Sequence, residues 1–158
     1  TEQGCAVYEN RPGACRLYPV GRAAKMDEGV VVEQFFLVQE GHCRGFGESK
    51  SWTLETWMND QGLIAYNNAN NRYTRLMALL KNQGLQLSPQ QATMCLLALY
   101  QSDRFQQFVK DMRLFERISV PEERQQRVLA DEEACLDFGL DWVELILTGS
   151  NPRISPKE

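Results

Sequence analysis

What this chain of 158 residues has little of restricts its chemistry first. It contains a single histidine, His42, so no facial triad built on a histidine pair can be assembled, and metal-hydrolase schemes of that kind are disfavoured. Lysine and arginine form no run, and the formal net charge is −4 with a pI near 5.1, so a basic nucleic-acid face is not expected. No apolar stretch approaches the ~20 residues of a membrane-spanning helix, and the start does not read as an export signal, so neither a membrane nor an oxidising compartment is expected. A cytoplasmic, reducing location follows as the expectation. There is no CxxC pair, no internal repeat, no low-complexity segment, and no phosphate-binding glycine motif placed after a strand.

What is present is enough for an ordinary folded domain. Hydrophobic residues make up 43% of the chain, so size alone demands no covalent or metal staple. Five cysteines are an odd number, which argues against a closed set of disulfides. In a reducing setting, clustered cysteines point to metal binding and isolated ones to core packing.

The chain changes texture near residue 50. Before it, VVVEQFFLVQ (30–39) is β-branched and aromatic and reads as a strand, paired through the turn at 26–29 with a stretch around Val20 to Lys25. After it, helix signals dominate. Ser51 or Thr53 serves as a cap and Gly62 as a stop. A helix over 63–83 follows, with Tyr66, Tyr73, Leu76, Met77 and Leu80 towards one face and Gly84 at its end. Ser88 and Pro89 begin a long helix to about Arg117 carrying Leu97, Phe105, Phe108, Met112 and Phe115 as an apolar stripe. Pro121 opens a last helical stretch to about Gly149, with a kink placed at Gly139. The expected fold is mainly α with a small β-hairpin: a single domain over 1–158, in which a cysteine-bearing β/loop part (1–50) packs on three or four helices (51–149) and a frayed tail follows (150–158).

The cysteines divide by neighbourhood. Cys95 and Cys135 lie in apolar helical runs and are expected as core thiols. Cys5, Cys15 and Cys43 lie in polar, glycine-flanked sequence: Gly4 precedes Cys5, Gly13 stands two before Cys15, and Gly45 two after Cys43. Glycines let the backbone turn amide N–H groups towards thiolate sulfurs, and three thiolates need one further donor for a tetrahedral site. Irregular spacing keeps plain loop cysteines, or a Cys5–Cys15 disulfide, as alternatives. His42 is placed first as an exposed or supporting neighbour of Cys43, because successive residues of an extended chain point to opposite sides, with completion of a tetrahedron of three cysteines and one histidine as the alternative. Arg11 and Arg16 either offset thiolate charge or bind an anion, or else pair with Glu2, Glu9, Asp27 or Glu28. Tyr8, Tyr18, Trp52 and Trp57 are expected to pack the β/loop part on the helices, with stacking on a ligand as the alternative, and NNANNRY (67–73) to be a solvated face or the lining of a polar cleft.

The segment GCAVYENRPGACRLYP resembles the GC-x-IY-x-x-RP-x-x-CR-x-YP stretch of the cysteine-cluster family of zinc- or iron-chelating domains (YkgJ-like). GHCRGFG with WTLETWMNDQG is similar to its continuation, so the resemblance spans residues 1 to about 80. The upstream CxxxCxxCC-like cluster of that family does not occur in this chain, which begins at Thr1, and an N-terminal extension carrying further cysteines is therefore expected. The resemblance implies a zinc ion or an iron–sulfur cluster held by Cys5, Cys15 and Cys43, with further ligands from upstream residues. One branch of the family includes flagellin lysine methylases, so a protein lysine methylase-like enzyme, with Asn67, Asn70 and Asn71 lining a cofactor cleft, is an alternative. A third is a helical protein-interaction module with a structural metal, presenting Phe105, Phe108 and Phe115 to a protein partner.

Overall fold

A computed structural model describes residues 5–84 and 86–157. The protein is mainly helical, with eight α-helices and a small antiparallel hairpin among the described residues. It divides into two compact units, Thr1–Arg75 and Leu76–Glu158.

In the first unit, helix α1 (Gly13–Leu17) leads into strands β1 (Val20–Asp27) and β2 (Val30–Leu37). The strands pair antiparallel from Val20↔Leu37 to Asp27↔Val30. Their two-residue connection, Glu28 (φ 45°) and Gly29 (φ 84°), has positive φ at both positions, the primed-turn geometry that matches the right-handed twist of the strands. Opposite Phe36 stands Gly21, and the Phe36 ring lies over it: a β-carbon at Gly21 would sit 2.2 Å from the ring. A 3₁₀ turn, η1 (Arg44–Gly47), precedes α2 (Leu54–Asp60). Thr53 caps α2 in a capping box with Thr56, and Gly62 (φ 64°) separates α2 from α3 (Leu63–Asn82). The unit boundary falls within α3, between Arg75 and Leu76.

The second unit holds the larger core. Ser88 caps α4 (Pro89–Tyr100) through a capping box with Gln91, and Pro89 occupies the first turn. The expected long helix to Arg117 is three helices: α4, α5 (Ser102–Asp111) and α6 (Leu114–Arg117). It breaks at Gln101 (φ −135°, ψ 64°) and at Arg113, which adopts the left-handed conformation (φ 49°, ψ 47°). The breaks fold the apolar stripe back on itself. Phe105 is fully buried and packs against Phe108, Phe138 and Trp142, while Phe115 meets Phe138 edge-on. Phe105, Phe108 and Phe115 are thus core residues, not the exposed patch that an interaction helix would present.

The last helical stretch is also divided. Between α7 (Glu122–Ala130) and α8 (Glu132–Thr148), Asp131 is extended and its carboxylate accepts from Ala134 N, starting α8 anew. Gly139 lies inside continuous α8 and marks a close approach to Ala98 of α4 rather than a kink. Residues 150–157, expected to be frayed, are fastened down. Strand β4 (Ser155–Pro156) pairs with β3 (Ile118–Ser119), and Ile154 is 3% exposed within the core cluster. A buried isoleucine and a ladder partner supply what chain-end polarity had concealed.

Candidate functional site

The RP-x-x-CR segment is organised by its arginines. Arg11 donates to Gln61 Oε1 (2.5 Å) and to Tyr8 O (2.9 Å), with its guanidinium 3.8 Å above the Tyr8 ring. Arg16 donates to the carbonyls of Arg11 (3.0 Å) and Glu9 (2.7 Å) and lies over Tyr66. The expected pairing with Glu9 is therefore made to its backbone and not its carboxylate; Glu2 and Gly4 lie outside the described residues. A planar guanidinium has five donors, which suits it to binding carbonyl groups of an irregular loop. Both arginines act as braces for residues 8–16.

The three candidate ligands belong to three separate local pieces. Cys5 opens a turn, accepting Tyr8 N at its carbonyl. Cys15 is exposed on α1, and Cys43 is half-buried at the residue preceding η1. All three thiols are free, as are the core thiols Cys95 and Cys135. Among the described residues, no group of three or more His, Cys, Asp or Glu side chains is placed to hold a metal ion. Cys5, Cys15 and Cys43 are not gathered into one donor set, so these residues alone do not fit zinc or an iron–sulfur cluster. His42 is exposed, 3.4 Å from the Glu40 carboxylate.

What the first unit does gather is a cleft of about 970 Å³. Its walls are Tyr18, Phe35, Phe36, Phe46, Trp52 and Trp57, with Cys43 among them. The hairpin supplies Phe35 and Phe36, η1 supplies Phe46, the segment before α2 supplies Trp52, and α2 supplies Trp57. Trp57 is held by a 3.0 Å hydrogen bond from Nε1 to Leu17 O, and Trp52 meets it edge-on at 5.3 Å between centroids. Lys50 Nζ lies 3.6 Å above the Trp52 ring. A cation over an indole face contributes roughly 0.5–1 kcal/mol at an exposed site.

Tyr18 is the unusual member. Its hydroxyl oxygen is buried and has no partner of normal hydrogen-bond geometry among the described residues. The Cys43 thiol beside it, then burial, then the Glu40 carboxylate push its pKa up to about 12, so the phenol stays protonated. Nothing in the sequence pattern marked this residue beyond its aromatic ring.

The asparagines expected along a cofactor cleft are engaged elsewhere. Asn67 is buried with its amide on Met58 Sδ at 3.9 Å, and Asn71 accepts from Arg22 and donates to Glu33. None of Asn67, Asn70 and Asn71 lines the cleft. Among the described residues, no helix is long and apolar enough to cross a membrane. No protein-family model, curated protein or solved structure matches this chain.

Proposed function

We propose that the first unit is a binding module whose cleft takes a small, ring-bearing apolar molecule. The observation that carries this reading is the cleft itself: its volume of about 970 Å³ and six aromatic walls match the size and lining of small-molecule sites, which are mostly apolar with few polar groups. Flat faces of Trp52, Trp57 and Phe36 offer stacking to a ring. The Cys43 thiol, with Glu48, Lys50, Ser51 and Thr53, supplies the polar content. The test is a ligand-observed NMR screen of aromatic fragments against the intact chain and a Trp52→Ala variant. Fragments that bind the first and lose binding in the second support the reading; fragments that bind both equally, or neither, defeat it.

A thiolate metal centre is the second reading, favoured by one observation: Cys5, Cys15 and Cys43 are free, and none is fully buried. Such a centre needs donors beyond the described residues to draw the three thiols together, since they do not converge by themselves. Bound there, zinc or an iron–sulfur cluster would cross-link the loop, α1 and the residue before η1, and ligand deprotonation would couple its binding to folding. Metal content and a visible spectrum of protein purified without oxygen, compared with a triple Cys→Ser variant at 5, 15 and 43, decide it. Stoichiometric metal lost in the variant supports the centre. Metal-free protein from a source supplied with zinc and iron rules it out for this chain.

A further inference from the structure

Independently of the cleft, we propose that the second unit carries a peptide-binding groove, held closed by residues 151–157 of its own chain. The partner it fits is an extended segment with an arginine followed by a β-branched aliphatic residue. The resident segment shows what the groove reads. Its backbone adds a short antiparallel strand to β3, pairing Ser155 with Ser119 and Pro156 with Ile118, and Lys157 N donates to Arg117 O at 2.7 Å. Strand addition of this kind supplies main-chain affinity while side-chain subsites supply specificity.

Two subsites are built. Arg153 forks onto Asp137, with Nη1 3.2 Å from Oδ1 and Nη2 2.5 Å from Oδ2, and its Nε lies 3.4 Å from Asp141 Oδ2. Paired parallel bonds from a guanidinium to a carboxylate discriminate arginine from lysine. Asp141 is 1% exposed and also ion-paired to Arg124, so the acidic subsite is set in the core rather than on a loose surface. The next residue, Ile154, is buried in the apolar cluster.

The segment joins α8 through Gly149, whose φ of 79° ends the helix and turns the chain into the groove. Beside Arg153 a polar cavity of about 480 Å³, lined also by Arg124, Arg127 and Glu133, is left unfilled by the resident. A partner segment bearing a larger polar side chain next to its arginine reaches that space. A second copy of this chain would leave it empty, which favours a different partner over exchange between copies. Tethering gives the resident an effective concentration on the order of millimolar, so a free segment competes only when the resident is weakened.

The experiment uses the intact chain and a fluorescein-labelled, end-blocked peptide of sequence NPRISPK. Fluorescence anisotropy is read for the wild type, for an Arg153→Ala/Ile154→Ser variant whose own segment is released, and for that variant with Asp137→Ala added. The expected result is at least tenfold tighter peptide binding by the released variant than by the wild type. That gain is lost on adding Asp137→Ala, or on replacing the peptide's arginine with lysine. A folded released variant that does not bind, or that binds the lysine peptide equally, overturns the proposal. If the released variant does not fold, a protease site inserted at Ser150 allows the wild-type segment to be cut in the folded protein. Exchange of the cut segment for labelled peptide then supports the groove, and a cut segment that leaves without peptide taking its place overturns it. Binding accompanied by dimers of the released variant at the same concentration assigns the groove to a second copy and overturns the partner proposed here.

Discussion

The backbone at Gly139 comes so near the Ala98 carbonyl that a β-carbon there would lie 2.5 Å from its oxygen. Helices α4 and α8 touch at this point, and the same β-carbon would lie 3.5 Å from the Phe105 ring. Mid-helix glycine normally weakens a helix by about 0.5–1 kcal/mol relative to alanine. Here the added methyl meets backbone that cannot rotate aside, and overpacking costs about 1–3 kcal/mol. Gly139→Ala is therefore expected to destabilise the second unit, read as a lower urea midpoint. A stabilised variant would mean that the two helices are farther apart than described.

Asp141 is expected to matter more than any exposed charge of this unit. It is 1% exposed, ion-paired to Arg124 and Arg153, and accepts a long contact (3.4 Å) from Asn151. Removing it leaves Arg124 and Arg153 with Asp137 as their carboxylate partner, so the loss is that of hydrogen bonds to a charged group, about 1.5–3 kcal/mol. Asp141→Ala should lose stability on that scale in chemical denaturation. Arg113→Ala, at an exposed pair with Glu116, should lose no more than about 1 kcal/mol.

The cysteines should separate by reactivity. Cys5 and Cys15 are exposed, Cys43 and Cys95 half-buried, and Cys135 fully buried with its thiol towards Ser102 O. With a thiol reagent at neutral pH, Cys5 and Cys15 should react first and Cys135 only on unfolding. Modification of Cys135 at the rate of Cys15, located by mass spectrometry, would contradict the packing of α8.

Alkaline pH should expose the same burial thermodynamically. Burial, with the charges of Glu132 and Asp103, raises Cys135 from 9.0 to about 11. The unfolded chain thus gives up this proton at lower pH than the folded one. Stability from this group is fully present below about pH 9 and falls as pH rises towards 11. The decline in urea midpoint over that window should be shallower in Cys135→Ala than in the wild type, after allowing for the variant's lower starting stability. Equal slopes would remove Cys135 as a cause.

Trp57 ties the cleft to the end of α1, just before the hairpin. Trp57→Phe keeps the ring but leaves the Leu17 carbonyl without its 3.0 Å donor. A loss of about 1–3 kcal/mol is expected if that carbonyl stays dry, together with weakened fragment binding at the cleft. Unchanged stability and binding would show that Trp57 is a bystander.

Much of the local structure is legible from residues close in sequence. β-branched alternation with Glu28-Gly29 specifies the hairpin, Ser88-Pro89 and Thr53 specify helix starts, and Gly62, Gly84 and Gly149 sit in the left-handed conformation at helix ends. Each depends on a few neighbouring dihedrals and one or two hydrogen bonds, so sequence alone carries it. The breaks at Gln101, Arg113 and Asp131 were not legible in that way. No glycine or proline marks them, and the apolar periodicity runs on through the first two.

Only tertiary structure decided those breaks, because folding the stripe back buries Phe105 against Phe138 and Trp142, and that burial outweighs continued helix. The same holds for function. The spacing of Cys5, Cys15 and Cys43 establishes shared sequence texture, not convergence: the thiols lie on three local pieces, and no metal-holding group forms among the described residues. The cleft, in contrast, is assembled from residues 18 to 57 on a loop, two strands and a helix. Chain order alone does not bring those aromatic rings together; the hairpin register and the seating of Trp57 on Leu17 do.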